Sequence, residues 1–134
     1  MKEILKVHVV LDQFLQVDGK RAQALMILFH GTFTGACGEG IVLPGGVDTQ
    51  IERNGEARTL SARYVLQGTD PQGQTYHLFI ENNGICLPDA PMVTTPVIYT
   101  DRKELQWIED AKLTGTVESA GENQVLITIS SVEN

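Results

Sequence analysis

The sequence predicts an all-β chain: one antiparallel barrel of about eight short strands, with a short helix near residues 101–110. Three observations predict it. Seven or eight runs rich in Val, Ile, Leu, Phe, Tyr and Thr recur at fairly regular spacing. Turn signals punctuate them, among them Asn54-Gly55 and Asp70-Pro71-Gln72-Gly73. The 134 residues, 42% of them hydrophobic, suit one domain over 1–134 with a core of its own. Closure into a barrel removes exposed strand edges, and a sandwich is the alternative.

The elements follow in order. Glu3 to Asp12 reads as a strand with Leu5, Val7, Val9 and Leu11 on one face, followed by a turn over Val17-Asp18-Gly19-Lys20. Ala24 to Phe33 is a second strand, apolar on both faces at first, so its outer face asks for cover. The stretch His30 to Gln50 carries six of the 13 glycines and reads as a barrel corner, with Pro44-Gly45-Gly46 setting where the next strand begins. Gly46 to Arg53 and Thr59 to Gln67 form a hairpin about Asn54-Gly55. Gln74 to Asn82 is the next strand, closed by Asn83-Gly84. Leu87 to Pro96 holds three of the five prolines and reads as a surface connection. Asp101 and Glu104 fit a capping box for a helix reaching about Asp110. Lys112 to Ser119 and Gln124 to Val132 form the last hairpin.

Turn chemistry gives a register. A two-residue loop at Asn54-Gly55 pairs Arg53 with Glu56, so Asp48 faces Ser61 and Arg63 lies one diagonal step from Asp48. A four-residue loop at Asp70 to Gly73 then faces Arg63 with Ile80 and Ser61 with Asn82. One face thereby collects Asp48, Gln50, Ser61, Arg63, Tyr76 and Asn82, with Leu78 and Ile80 among them. An odd loop or a bulge there would flip the third strand and replace Tyr76 and Asn82 by His77 and Glu81. A polar cluster among apolar groups inside a barrel is what a small-molecule pocket looks like.

At these residues the chain resembles a known family. Gly40-Ile41-Val42-Leu43-Pro44-Gly45-Gly46-Val47-Asp48-Thr49-Gln50, Leu60-Ser61-Ala62-Arg63-Tyr64, Asn82-Asn83-Gly84, Thr94-Thr95-Pro96 and Trp107 look like the ordered motifs of the domain of unknown function 3237, from about Gly31 to the C-terminus. The resemblance implies a lipocalin-like barrel, similar to allene oxide cyclase barrels, and no settled activity. It places family polar positions on Asp48, Gln50, Arg63, Tyr64 and Asn82. Thr49 and Glu109 depart from the family pattern, and Glu109 would change a pocket's charge. Tyr64 falls on the face opposite Asp48 and reads as core or interface.

Charge and composition exclude several classes. Ten basic against 17 acidic residues give −7, which argues against nucleic acid and against an anionic membrane surface. Glu3, Lys6 and His8 break any signal-peptide h-region, and no run reaches the ~18 apolar residues of a membrane span. Cys37 and Cys86 form no zinc pattern, so the expectation is two free thiols and a cytoplasmic protein. His8, His30 and His77 match no metal motif, and the glycines follow neither Walker nor GxGxxG spacing. No metal and no cofactor are expected.

Three functions stay open. In the first, a pocket binds a small organic molecule and catalyses isomerisation, cyclisation or lactone chemistry. Asp48 is then base or anchor, Arg63 binds a carboxylate or holds Asp48 ionised, and Gln50, Tyr76, Asn82, Trp107 and Glu109 complete the ligand site. A purely structural Asp48–Arg63 ion pair is the plain alternative. In the second, the pocket serves a carrier or sensor. In the third, apolar strand faces assemble a homo-oligomer, a dimer first. The faces are Ala24 to Phe29 and the set Val47, Ile51, Ala62, Tyr64, Leu66 and Phe79.

Overall fold

Burial alternates along most of the strands, and their pairing closes the sheet into a ring. The structure, a computed structural model, describes residues 1–132. Nine strands are present among the described residues: β1 (Lys2–Asp18), β2 (Ala22–Gly35), β3 (Gly38–Val42), β4 (Val47–Arg53), β5 (Thr59–Thr69), β6 (Thr75–Ile85), β7 (Val93–Thr100), β8 (Leu113–Gly121) and β9 (Gln124–Ser131). A 3-10 turn (Lys103–Leu105) and a one-turn helix α1 (Trp107–Asp110) join β7 to β8. All pairings are antiparallel. β1 pairs with both β9 and β2, which closes the barrel. β3 and β4 lie end to end between β2 and β5, so the nine strands make eight staves. None of the described helices is long and apolar enough to cross a membrane.

The glycine-rich stretch is thus a corner only at Gly35 to Gly38. Its second half, Leu43 to Gly46, interrupts one stave, with Gly45 at a φ of 107° that favours glycine. Gly40 in this stretch and Gly68 on β5 make room. A Cβ on Gly40 would lie 2.8 Å from the Phe33 ring, and one on Gly68 would lie 2.7 Å from the Tyr76 ring. These two rings fill the closed end of the barrel beside Leu66, Leu78 and Ile108, all essentially inaccessible.

Several boundaries differ from the sequence reading. β1 continues through the expected Val17-Asp18 turn, past a bulge between Leu11 and Gln13. Asn83-Gly84 does not end β6: Asn83 pairs with Ser61 and Gly84 with Leu60. The proline-rich connection hides β7, in which Pro96 faces Asn82. No capping box forms. Arg102 precedes the 3-10 turn without a side-chain cap, and Asp101 instead accepts from the His77 backbone N–H at 2.7 Å.

The register differs by one residue at both hairpins. At Asn54-Gly55 the turn closes through Glu56 N–H to Arg53 O, but pairing resumes at Ile51–Thr59, so Asp48 faces Ala62 and Val47 faces Arg63. At the next turn Asp70 Oδ1 accepts from both Gln72 N–H and Gln74 N–H, at 2.9 and 2.8 Å. That holds Gln74 in a five-residue loop, with Thr69 facing Thr75 and Arg63 facing Glu81. The two shifts cancel between β4 and β6. Only β5 is turned over relative to expectation: Ala62, Tyr64 and Leu66 point inward, and Ser61 and Arg63 point out.

Candidate functional site

Asp48, Ala62 and Asn82 stand in one row across β4, β5 and β6. Adjacent strands are about 4.8 Å apart, so the two polar residues are about 10 Å apart with only a methyl group between them. That gap opens into a cavity of about 260 Å³ at the end of the barrel away from Phe33. Val9, Leu11, Ile27, Phe29 and Ile127 form much of its wall, with Cys86 and Met92 from the β6–β7 connection. Gln50 lies two residues beyond Asp48 on the same face.

The polar groups here are ordered from outside the cavity. Arg58 Nη1 donates to Gln50 Oε1 at 3.4 Å, and the same guanidinium engages Gln23 and Glu52. With its oxygen so engaged, Gln50 turns its amide nitrogen to Asp48 and donates to Oδ2 at 2.8 Å. Among the described residues, buried Asp48 Oδ1 has no partner, and neither has Asn82 Oδ1 or Thr94 Oγ1. Burial pushes the Asp48 carboxyl above the usual aspartate range, and the Gln50 hydrogen bond opposes this. Among the described residues no Lys, Arg or His lines the cavity.

Three of the seven predicted site residues therefore meet: Asp48, Gln50 and Asn82. Arg63 does not. Its side chain is 64% exposed on the outer face, with Nε 3.6 Å from Glu81 Oε2, because β5 is turned over. Arg63 therefore forms no pair with Asp48 and is not in the cavity that Asp48 lines. Tyr76 lies six residues from Asn82 along β6, about 20 Å away at strand rise. It is buried at the closed end, where its hydroxyl donates to the Cys37 carbonyl at 3.0 Å and Arg102 lies over its ring at 4.8 Å. Trp107 is half exposed with the Lys2 ammonium 5.4 Å from its ring centroid. Glu109 is committed to the Thr100 backbone N–H at 3.0 Å. Tyr64, expected opposite Asp48, is on the inner face and edge-on to Phe29, and burial raises its hydroxyl pKa.

The apolar wall was legible as the inward alternation of β1. Cys86 and Met92 carried no such signal, because they come from a loop. A larger concavity of about 630 Å³ lies on the outer face between Ile51, Arg63 and Ile85. It is open to solvent, and within it Ser61 Oγ donates to Asn83 Oδ1 at 2.7 Å.

The model of a protein family of unknown function, DUF3237, matches residues 1–92. The chain belongs to the DUF3237 family. The matched segment starts ahead of Gly31 and stops short of Thr94-Thr95-Pro96 and Trp107, while holding Asp48, Gln50 and Asn82. Within reach of this DUF3237 chain, a UPF0311 protein of Clostridium acetobutylicum is 34% identical over 92 residues, 66% of this chain and 56% of that protein. The chain thus spans little more than half the length of that relative. A crystal structure of a protein of unknown function from the same species superposes with a TM-score of 0.82 at 26% identity, covering 98% of each chain. A β-barrel-like protein of Acinetobacter baumannii gives a TM-score of 0.73 at 18% identity, over 98% of this chain and 94% of that one, a likeness of fold.

Proposed function

We propose that this DUF3237 chain binds a small organic molecule in the cavity between Asp48 and Asn82. The observation that supports this is a carboxyl oxygen, Asp48 Oδ1, left without a partner beside an apolar cavity. A buried polar atom without a hydrogen bond costs free energy, and a ligand that satisfies it recovers that cost. The volume is adequate: an apolar cavity of about 150 Å³ admits benzene, and this one is larger. Ala62 leaves the space. In Ala62→Leu the longer side chain fills it, so saturable binding of 2-phenylethanol, followed by calorimetry, is expected for the natural chain and lost in Ala62→Leu. Equal heats from the two proteins would count against the site.

Catalysis is a second reading, supported by the raised carboxyl. An aspartate held in an apolar site is a stronger proton acceptor than one in water, as a general base in isomerisation or cyclisation requires. The reading now rests on Asp48 without Arg63. The outer face supports self-association as well. Leu15, Val17, Ala24, Met26, Leu28, Val47 and Ile51 share that face across β1, β2 and β4, with Val17 67% exposed. Beyond Val10, β1 has no β9 partner, so its distal edge is open to a second copy.

A further inference from the structure

We infer that the cavity selects a largely apolar molecule whose polar group is a hydrogen-bond donor, a hydroxyl or a protonated amine, and rejects carboxylates. The inference rests on the binding site proposed above and names its ligand class.

Three observations carry it. The unpartnered side-chain atoms at or beside the cavity are oxygens: Asp48 Oδ1, Asn82 Oδ1 and Thr94 Oγ1. Of these, the Asp48 and Asn82 oxygens accept only, so a partner must donate to them, and Asp48 is the one that carries charge. Two amides line the cavity: the Gln50 nitrogen is committed to Asp48 Oδ2, and the Asn82 amide is a neutral donor that brings no positive charge. The nearest guanidinium, Arg58, is held one residue back by Gln50, Gln23 and Glu52 and contributes nothing to the lining. A ligand carboxylate would therefore bring a second negative charge beside Asp48 in an apolar site with no cation to offset it. The net charge of −7 acts in the same direction on approach. A hydroxyl meets the Asp48 oxygen as a donor, and an ammonium also supplies the opposite charge. The rest of the ligand must be apolar, because Val9, Leu11, Ile27 and Phe29 offer it no hydrogen bond.

The test uses three compounds with one body and three head groups: 2-phenylethanol, 2-phenylethylamine and phenylacetate. Each is titrated into the full chain and into Asp48→Asn near neutral pH. The alcohol and the amine are expected to bind the natural chain, with phenylacetate at least tenfold weaker. Asp48→Asn should weaken the amine at least tenfold, shift the alcohol less, and bring phenylacetate towards the alcohol. Phenylacetate binding the natural chain as tightly as the alcohol would overturn the ligand class while leaving the site intact. An unchanged order of affinities in Asp48→Asn would do the same. Failure of all three compounds at millimolar concentration would overturn the site itself. Should Asp48→Asn not fold, a pH series on the natural chain decides. Amine affinity should fall as Asp48 takes up a proton, with the alcohol little affected, and parallel behaviour of the two would overturn the inference.

Discussion

Asp48 makes folding costlier as it ionises. Burial raises its pKa in the folded chain above that of an ordinary aspartate. Below the ordinary value both folded and unfolded chains hold the proton, and the site carries no penalty. As pH rises through the raised folded value, the folded chain must bear a buried charge, and stability is lost. Asp48→Asn keeps an oxygen for the Gln50 amide and removes the charge. Its melting temperature is therefore expected to match that of the natural chain near about pH 3 and to exceed it at neutral pH. Calorimetric scans across that range check this. A variant less stable at neutral pH than in acid, relative to the natural chain, would contradict it. Asp101 has the opposite sign. The His77 backbone N–H, and then its ring, hold that carboxyl below the usual range.

At the scale of elements, the barrel has a filled end and an open end, and small residues decide which is which. Gly40 and Gly68 admit the Phe33 and Tyr76 rings at one end, whereas Ala62 leaves space at the other. Gly68→Ala puts a methyl group 2.7 Å from the Tyr76 ring, closer than carbon atoms approach. Overpacking of this kind costs about 1–3 kcal/mol. Urea denaturation should show that loss in Gly68→Ala and recover part of it in Gly68→Ala with Tyr76→Leu. Cost without rescue would place the strain elsewhere than against Tyr76. Binding of 2-phenylethanol should survive in both, because the cavity lies at the other end.

For the whole molecule, closure leaves one long edge unfinished. β1 runs to Asp18 while β9 accompanies it only to Val10, and Leu15, Val17 and Met26 are exposed beside that edge. Self-pairing there would bury the patch and complete the ladder. Light scattering at micromolar concentration is expected to give twice the chain mass. Leu15→Lys with Met26→Lys is expected to give the single mass with the fold retained by circular dichroism. A natural chain that is monomeric throughout would remove this reading and leave the cavity untouched.

Most strands, the turns at Asn54-Gly55 and Asp70 to Gly73 and the family motifs follow from residue type, because β-branched runs, Asn-Gly and Asp-Pro-x-Gly act over a few neighbouring residues, whereas β3 and β7 lie in stretches whose glycines and prolines read as loops. The eightfold barrel was legible from those runs, and so was the company of Asp48, Gln50 and Asn82. What residue type does not specify is loop length to the single residue. Side chains alternate with a period of two, so one extra residue at Asn54-Gly55, and another where Asp70 captures the Gln74 N–H, each reverse a strand. The two reversals cancelled for Asp48 and Asn82 and did not for Arg63. Tertiary structure therefore decided that the guanidinium stands in solvent, that Ala62 takes its place inside, and that the carboxyl faces the cavity without a counter-charge.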